Sequence, residues 1–160
     1  MAPAISIDTG VLVEFIDESG NLHSQATVLI DAVLSGKVIG LIPHPVFAEL
    51  YYVSSKLYER LGKTGFSATA GNLIKWLYKS PNISVPEGNL DLALEAGSVK
   101  REFGLALTDA YVLAVAKLNG CKAIFKSPED EMKKVGKLKK LEKEQFDLIF
   151  LENYSVQTAN

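Results

Sequence analysis

Cysteine is almost absent from this chain: Cys121 stands alone. No internal disulfide can form, and a reducing interior suits such a protein. Histidine is nearly as scarce, with only His23 and His44, so no His/Cys cluster with zinc-ligand spacing is present. Long apolar runs are missing too. The longest, around Val112 to Ala116, falls far short of the roughly 20 residues a bilayer span needs. Met1-Ala2-Pro3-Ala4 shows neither a basic region nor an apolar segment of the secretory kind, so the cytoplasm is the expected compartment and no membrane the expected partner. An excess of positive charge is also lacking. With 17 basic and 19 acidic residues the net charge is −2, so any affinity for nucleic acid must come from a local patch.

What is present is enough apolar material for a core: 48% of the 160 residues are hydrophobic and the mean hydropathy is +0.12. That length fits one domain over residues 1–160. Residues 4–7 read as a short buried strand, and Thr9 or Asp8 is placed to cap the helix that follows from Val11. A second helix opens at His23 or Ser24, with Ala26, Leu29, Ile30, Val33 and Leu34 at helical spacing and Gly36 just past its end. Residues 37–42 form the next strand. A third helix starts at Pro45 and runs to about Leu61, and a fourth spans Ser67 to Tyr78. A short strand or bridge at 83–85 precedes a fifth helix, from Leu90 to Phe103, ended by Gly104. Thr108 is expected to cap a sixth, Asp109 to Leu118, which is apolar nearly all round and therefore buried between layers. Strands at 122–125 and 146–151 complete the series. Strands alternating with helices predict a three-layer α/β/α sandwich around a central, mainly parallel sheet of four or five strands.

Asp8, Glu49, Asp109 and Glu129 are far apart in sequence, yet each sits where a strand stops or a helix starts. Any one of them is explained by the preference of acids for first helical turns. Together they predict convergence at one edge of the sheet. Carboxylates gathered within a few ångströms repel unless a cation neutralises them, and oxygen donors without His or Cys favour Mg²⁺ or Mn²⁺. A carboxylate-bound pair of such ions suits phosphoryl chemistry. Two other designs with carboxylates at strand ends fit poorly. A haloacid-dehalogenase-type phosphatase needs a second Asp at position 10, which is glycine, and a response-regulator receiver needs paired acids after the first strand.

The motifs themselves resemble those of PIN-domain nucleases. Ile5-Ser6-Ile7-Asp8-Thr9 and His44-Pro45-Val46-Phe47-Ala48-Glu49-Leu50 look like the first two. Gly104-Leu105-Ala106-Leu107-Thr108-Asp109-Ala110-Tyr111 is similar to the third and most specific, and Ala123-Ile124-Phe125-Lys126-Ser127-Pro128-Glu129-Asp130-Glu131 to the fourth. Their order, their spacing and the chain length suit the VapC-type toxins of prokaryotic toxin–antitoxin pairs. The resemblance implies Mg²⁺- or Mn²⁺-dependent endoribonuclease activity through a metal-activated water, a small cognate antitoxin as partner, and a homodimer. It also implies that Asp8, Glu49, Asp109 and Glu129 are catalytic metal ligands, supported by Thr9, Thr108, Ser127 and Glu131. The same site would serve an RNA-processing nuclease without a toxin role, or a catalytically weak RNA-binding scaffold. Two departures stand out. The family's Thr-x-Asp-x-Asp is here Ser127-x-Glu129-x-Glu131, which leaves the fourth acid open between Glu129, Asp130 and Glu131. Gly10 replaces the polar residue, often Asn, that commonly follows Asp-Thr.

Lys126, Lys133, Lys134 and Lys137 are candidate RNA contacts, with a solvated helix as the alternative for the lysine-rich segment. Tyr51, Tyr52, Tyr58, Trp76 and Tyr78 suit core packing or a protein interface.

Overall fold

The computed structural model of the protein describes residues 1–134, 136–144 and 146–156. β1 (Ala4–Ile7) leads into α1 (Thr9–Ile16) and α2 (His23–Leu34), then β2 (Ile39–Leu41). α3 (His44–Arg60) and α4 (Phe66–Tyr78) precede β3 (Ile83–Ser84). α5 (Leu90–Phe103) and α6 (Leu107–Leu118) precede β4 (Lys122–Phe125). α7 (Lys137–Lys143), β5 (Leu148–Phe150) and a 3₁₀ turn at Leu151–Asn153 follow.

All five strands pair in parallel, in the order β3-β2-β1-β4-β5. Parallel neighbours need crossovers, and helices supply them. The two faces of β1 show how the layers form. On one, the buried Ser6 hydroxyl donates to the Val112 carbonyl at 2.8 Å, seating α6 on the sheet. Leu41, Leu92, Ala96, Ala114 and Val115 pack together there and add α5. On the other, Gly40 leaves room for α2: a Cβ at that position would lie 3.1 Å from both Val33 Cγ1 and Ile7 Cδ1. Three α/β/α layers result, as expected. In α6 the residues from Val112 to Ala116 are all buried, the pattern of a helix held between layers.

Two expectations about elements are corrected. Thr108 does not cap α6. Gly104 turns the chain at φ 70°, Leu105 buries completely, and the helix starts early at Leu107 behind Ala106, which has no capping oxygen. The last strand is also shorter than 146–151. Phe146 buries at its entrance, the Asp147 carbonyl already accepts from Ala123 N at 2.8 Å, and Leu151 has turned into the 3₁₀ helix.

The strand order places a topological switch point between β1 and β4. From β1 the chain builds outward through β2 and β3 on one side, and through β4 and β5 on the other. Loops leave the carboxyl ends of β1 and β4 in opposite directions, and a crevice opens between them. Asp8 is the first residue after β1, and Lys126 the first after β4.

Candidate metal centre

Asp8 is fixed from both sides. Its N–H donates to the Ile124 carbonyl at 3.0 Å, extending the β1–β4 pairing by one residue. Its side chain caps α1, Oδ2 accepting from Gly10 N at 3.0 Å. The residue is only 3% exposed, and Oδ1 is buried with no hydrogen-bond partner. A buried carboxylate oxygen without a donor is costly; a proton held by the neighbouring Asp109 carboxyl can satisfy it in the absence of metal, and a cation would replace that proton. Burial pushes the Asp8 carboxyl up to about 7; the Gly10 N–H works against this, and the charges of Glu129 and Glu49 add to it.

Asp109 reaches the same crevice from the first turn of α6. Burial, then the charges of Asp8, Glu129 and Glu49, push its carboxyl up to about 8. Glu129 arrives from the loop after β4, its carboxyl raised by burial, then by Glu49 and Asp130. Asp8, Asp109 and Glu129 each offer one oxygen, and these oxygens all lie within 4.8 Å of one another. Glu49 stands at the wall of the same cleft, tied by the Thr9 hydroxyl, which donates to Oε2 at 2.7 Å. Among the described residues the cleft of about 320 Å³ is thus lined by four carboxylates and a single cation, Lys126. Mutual repulsion of this kind is reversed by a divalent ion. With oxygen-only donors and an orphaned Oδ1, the residues fit Mg²⁺ or Mn²⁺.

Of the three acids left open after β4, Glu129 alone lines the cleft. Asp130 is fully exposed beside Lys133 at 3.6 Å. Glu131 is drawn off by Lys134 at 2.6 Å, which holds its carboxyl below the usual range. Thr108 and Ser127 are half-buried and do not line the cleft, whereas Thr9 does. Lys137 donates to the Phe103 carbonyl, closing the C-terminal end of α5. A much larger cavity, about 720 Å³, opens at the opposite end of the sheet beside Cys121, and among the described residues its lining holds one acid, Asp147.

Sequence reasoning missed Glu14. Its side chain is 7% exposed and sits 2.6 Å from the Lys126 ammonium, while its other oxygen accepts from Leu22 N at 2.9 Å. The signal was available: a lone carboxylate interrupts the apolar run Val11-Leu12-Val13-Glu14-Phe15.

Residues 5–138 match the PIN domain family. The chain belongs to that family. Its PIN fold superposes on solved structures of low sequence identity. A toxin–antitoxin complex from Klebsiella pneumoniae is 14% identical with a TM-score of 0.57, over 97% of this chain and 100% of that one. VapBC2 from Rickettsia felis, bound to a promoter DNA fragment, is 13% identical with a TM-score of 0.59, over 94% and 98%. VapC20 from Mycobacterium tuberculosis, a sarcin–ricin loop cleaving toxin, is 19% identical with a TM-score of 0.58, over 75% and 86%. No curated protein sequence matches. Among the described residues, no helix of this PIN domain is long and apolar enough to cross a membrane.

Proposed function

We propose that this PIN domain is a metal-dependent endoribonuclease, the toxin of a cytoplasmic toxin–antitoxin pair. The observation that carries the reading is the convergence of Asp8, Asp109 and Glu129 around an orphaned carboxylate oxygen at the β1–β4 switch point. In this reading those three carboxylates hold Mg²⁺ or Mn²⁺, and Glu49, fixed by Thr9, completes the acidic wall. The ion, when bound, supplies Lewis-acid activation of water and of the phosphodiester. The protein supplies position. Asp8 is immobilised by strand pairing and by the α1 cap, and Asp109 by the buried α6, so the acids stay in place with no substrate bound.

RNA as substrate and a small antitoxin as partner rest on PIN-family membership and on the toxin–antitoxin complexes whose fold this chain shares. The homodimer is part of the same proposal, and Tyr51, Tyr52, Trp76 and Tyr78 are exposed on α3 and α4 for a protein contact. Lys126 is the candidate phosphate contact. It lines the cleft, whereas Lys133, Lys134 and Lys137 do not and face Asp130, Glu131 and the Phe103 carbonyl.

The test is cleavage of single-stranded RNA with Mg²⁺ or Mn²⁺, with EDTA, and with Asp8→Asn. Wild type should cleave only with metal, and Asp8→Asn should lose at least about 100-fold, on the scale of removing one preorganised charge-stabilising group. Equal cleavage by the two proteins, or cleavage that survives EDTA, sinks the reading.

A further inference from the structure

Gly10, Glu14, Gly20 and Lys126 form one device beside the acidic cleft. The Lys126 backbone is pinned just beyond β4, its carbonyl accepting from Glu152 N at 3.2 Å. From there its side chain crosses the first turn of α1. A Cβ at position 10 would lie 3.2 Å from both Lys126 Cβ and Asp8 Oδ2, so the bare glycine gives the lysine its path. Glu14, one helical turn further along the same face, receives the ammonium at 2.6 Å.

Glu14 is itself held. Its Oε2 accepts from Leu22 N, and a Cβ at position 20 would come within 2.3 Å of that oxygen. Both glycines thus stand where a side chain would crowd the pair. The two partners differ in exposure: the Glu14 side chain is 7% exposed, that of Lys126 46%. An ammonium carries three donors, and the Glu14 contact occupies one side of it. Lys126 is also the one cation among the described residues lining a cleft with four carboxylates, and its charge opposes the rise in the Glu129 pKa. Among the described residues that line the cleft, this lysine alone attracts an approaching polyanion; Lys133 acts on Glu129 from outside it.

We propose that Glu14 is a positioning residue that holds the Lys126 ammonium at the cleft as the contact for an RNA phosphate. The inference rests on the nuclease reading for its ligand. Lys126 touches the phosphate; Glu14 acts through Lys126, sparing it the entropy of being ordered on binding. Gly10 is then the space through which a cation reaches the site, not a lost polar group.

The experiment is a fluorescence-anisotropy titration of a labelled single-stranded RNA in EDTA, across a range of salt, at a temperature where every variant is folded. Lys126→Gln should weaken binding and reduce the slope of log affinity against log salt by about 0.7, one phosphate on a single strand. Lys126→Arg should restore the slope. Glu14→Gln keeps an acceptor for Leu22 N but loses the charge that fixes the ammonium. It should weaken binding about two- to tenfold, the scale of ordering one long side chain, with the slope unchanged. In the double variant Glu14→Gln should add nothing, because no lysine remains to position.

An unchanged slope in Lys126→Gln, or no salt-dependent binding by wild type, overturns the proposal. So does Glu14→Gln that melts earlier yet binds RNA as wild type does, which would make the pair only a clamp on the α1–α2 loop. Binding in EDTA needs no turnover, so the two readings fail separately. Lys126-dependent binding without metal-dependent cleavage removes the nuclease and keeps the contact. Cleavage with an indifferent Lys126 does the reverse.

Discussion

At Asp8 one carboxylate oxygen closes the first turn of α1 while the other lies buried with nothing to accept. That asymmetry has a measurable sign. Burial and mutual repulsion push the Asp8 and Asp109 carboxyls up to about 7 and about 8, from an ordinary 3.8. Raised acids bind protons in the folded state that the unfolded chain has released. Their contribution to stability is therefore full below about pH 4 and is lost as pH rises through the folded values. Metal-free wild type should lose melting temperature between about pH 5 and about pH 8 for this reason. Asp109→Asn should flatten that loss, and it should shrink the rise in melting temperature that the proposed Mg²⁺ or Mn²⁺ site would give wild type. Equal pH profiles for the two proteins would mean that the carboxyls are not clustered in solution. The acids after β4 divide in the same way. Glu129→Gln should lower metal-dependent cleavage, whereas Glu131→Gln, whose partner is Lys134, should leave it within about twofold, as for a surface substitution away from the site. At this scale the sequence was informative for Asp8 and Asp109, whose positions follow from strand and helix ends. It put Glu129 before Glu131 on motif position but left the choice open, because a loop conformation decides between them. Glu14 was visible as a lone acid in an apolar run, but its partner Lys126, more than 100 residues away in the chain, was not.

Helices and central strands were readable because their periodicity and stops agree: Gly36, Gly104 and Gly120 each take positive φ just past a helix. The start of α6 was not. Thr108 looks like a cap, but complete burial of Leu105 brings the helix in two residues early, and tertiary packing overrides the local preference. This places Asp109 inside the first turn, with the helix behind it anchoring the carboxylate. α6 is accordingly the element whose packing should matter most to the site. Leu113→Ala, at a fully buried position, should cost about 2–5 kcal/mol in denaturant unfolding. A loss below about 1 kcal/mol would be that of an exposed site and not of the buried α6 position.

For the molecule as a whole, the fold concentrates charge without a net excess of it. The chain carries only −2 overall, yet its switch point gathers four carboxylates into one cleft. For the proposed nuclease, RNA affinity should accordingly depend on Lys126 at the cleft more than on the global field. Parallel sheet order explains why such distant residues meet, and the α/β alternation made that order predictable in kind. Which strand edge holds the acids became legible only with the β1–β4 pairing.

That pairing also separates the clock of folding from the clock of unfolding. Ile5 registers with Lys122 and Ile7 with Ile124, so closing the pair joins segments more than 100 residues apart. Contacts of such long range are slow to form, and the carboxylates cannot meet before them. An ion that binds only the finished cleft stabilises the native state and not the barrier that precedes it. Mg²⁺ or Mn²⁺ should therefore slow unfolding while leaving the refolding rate nearly unchanged. Stopped-flow chevrons with and without metal would show this as movement of the unfolding arm alone. Metal that accelerated refolding would mean that β1 and β4 come together earlier than their separation implies.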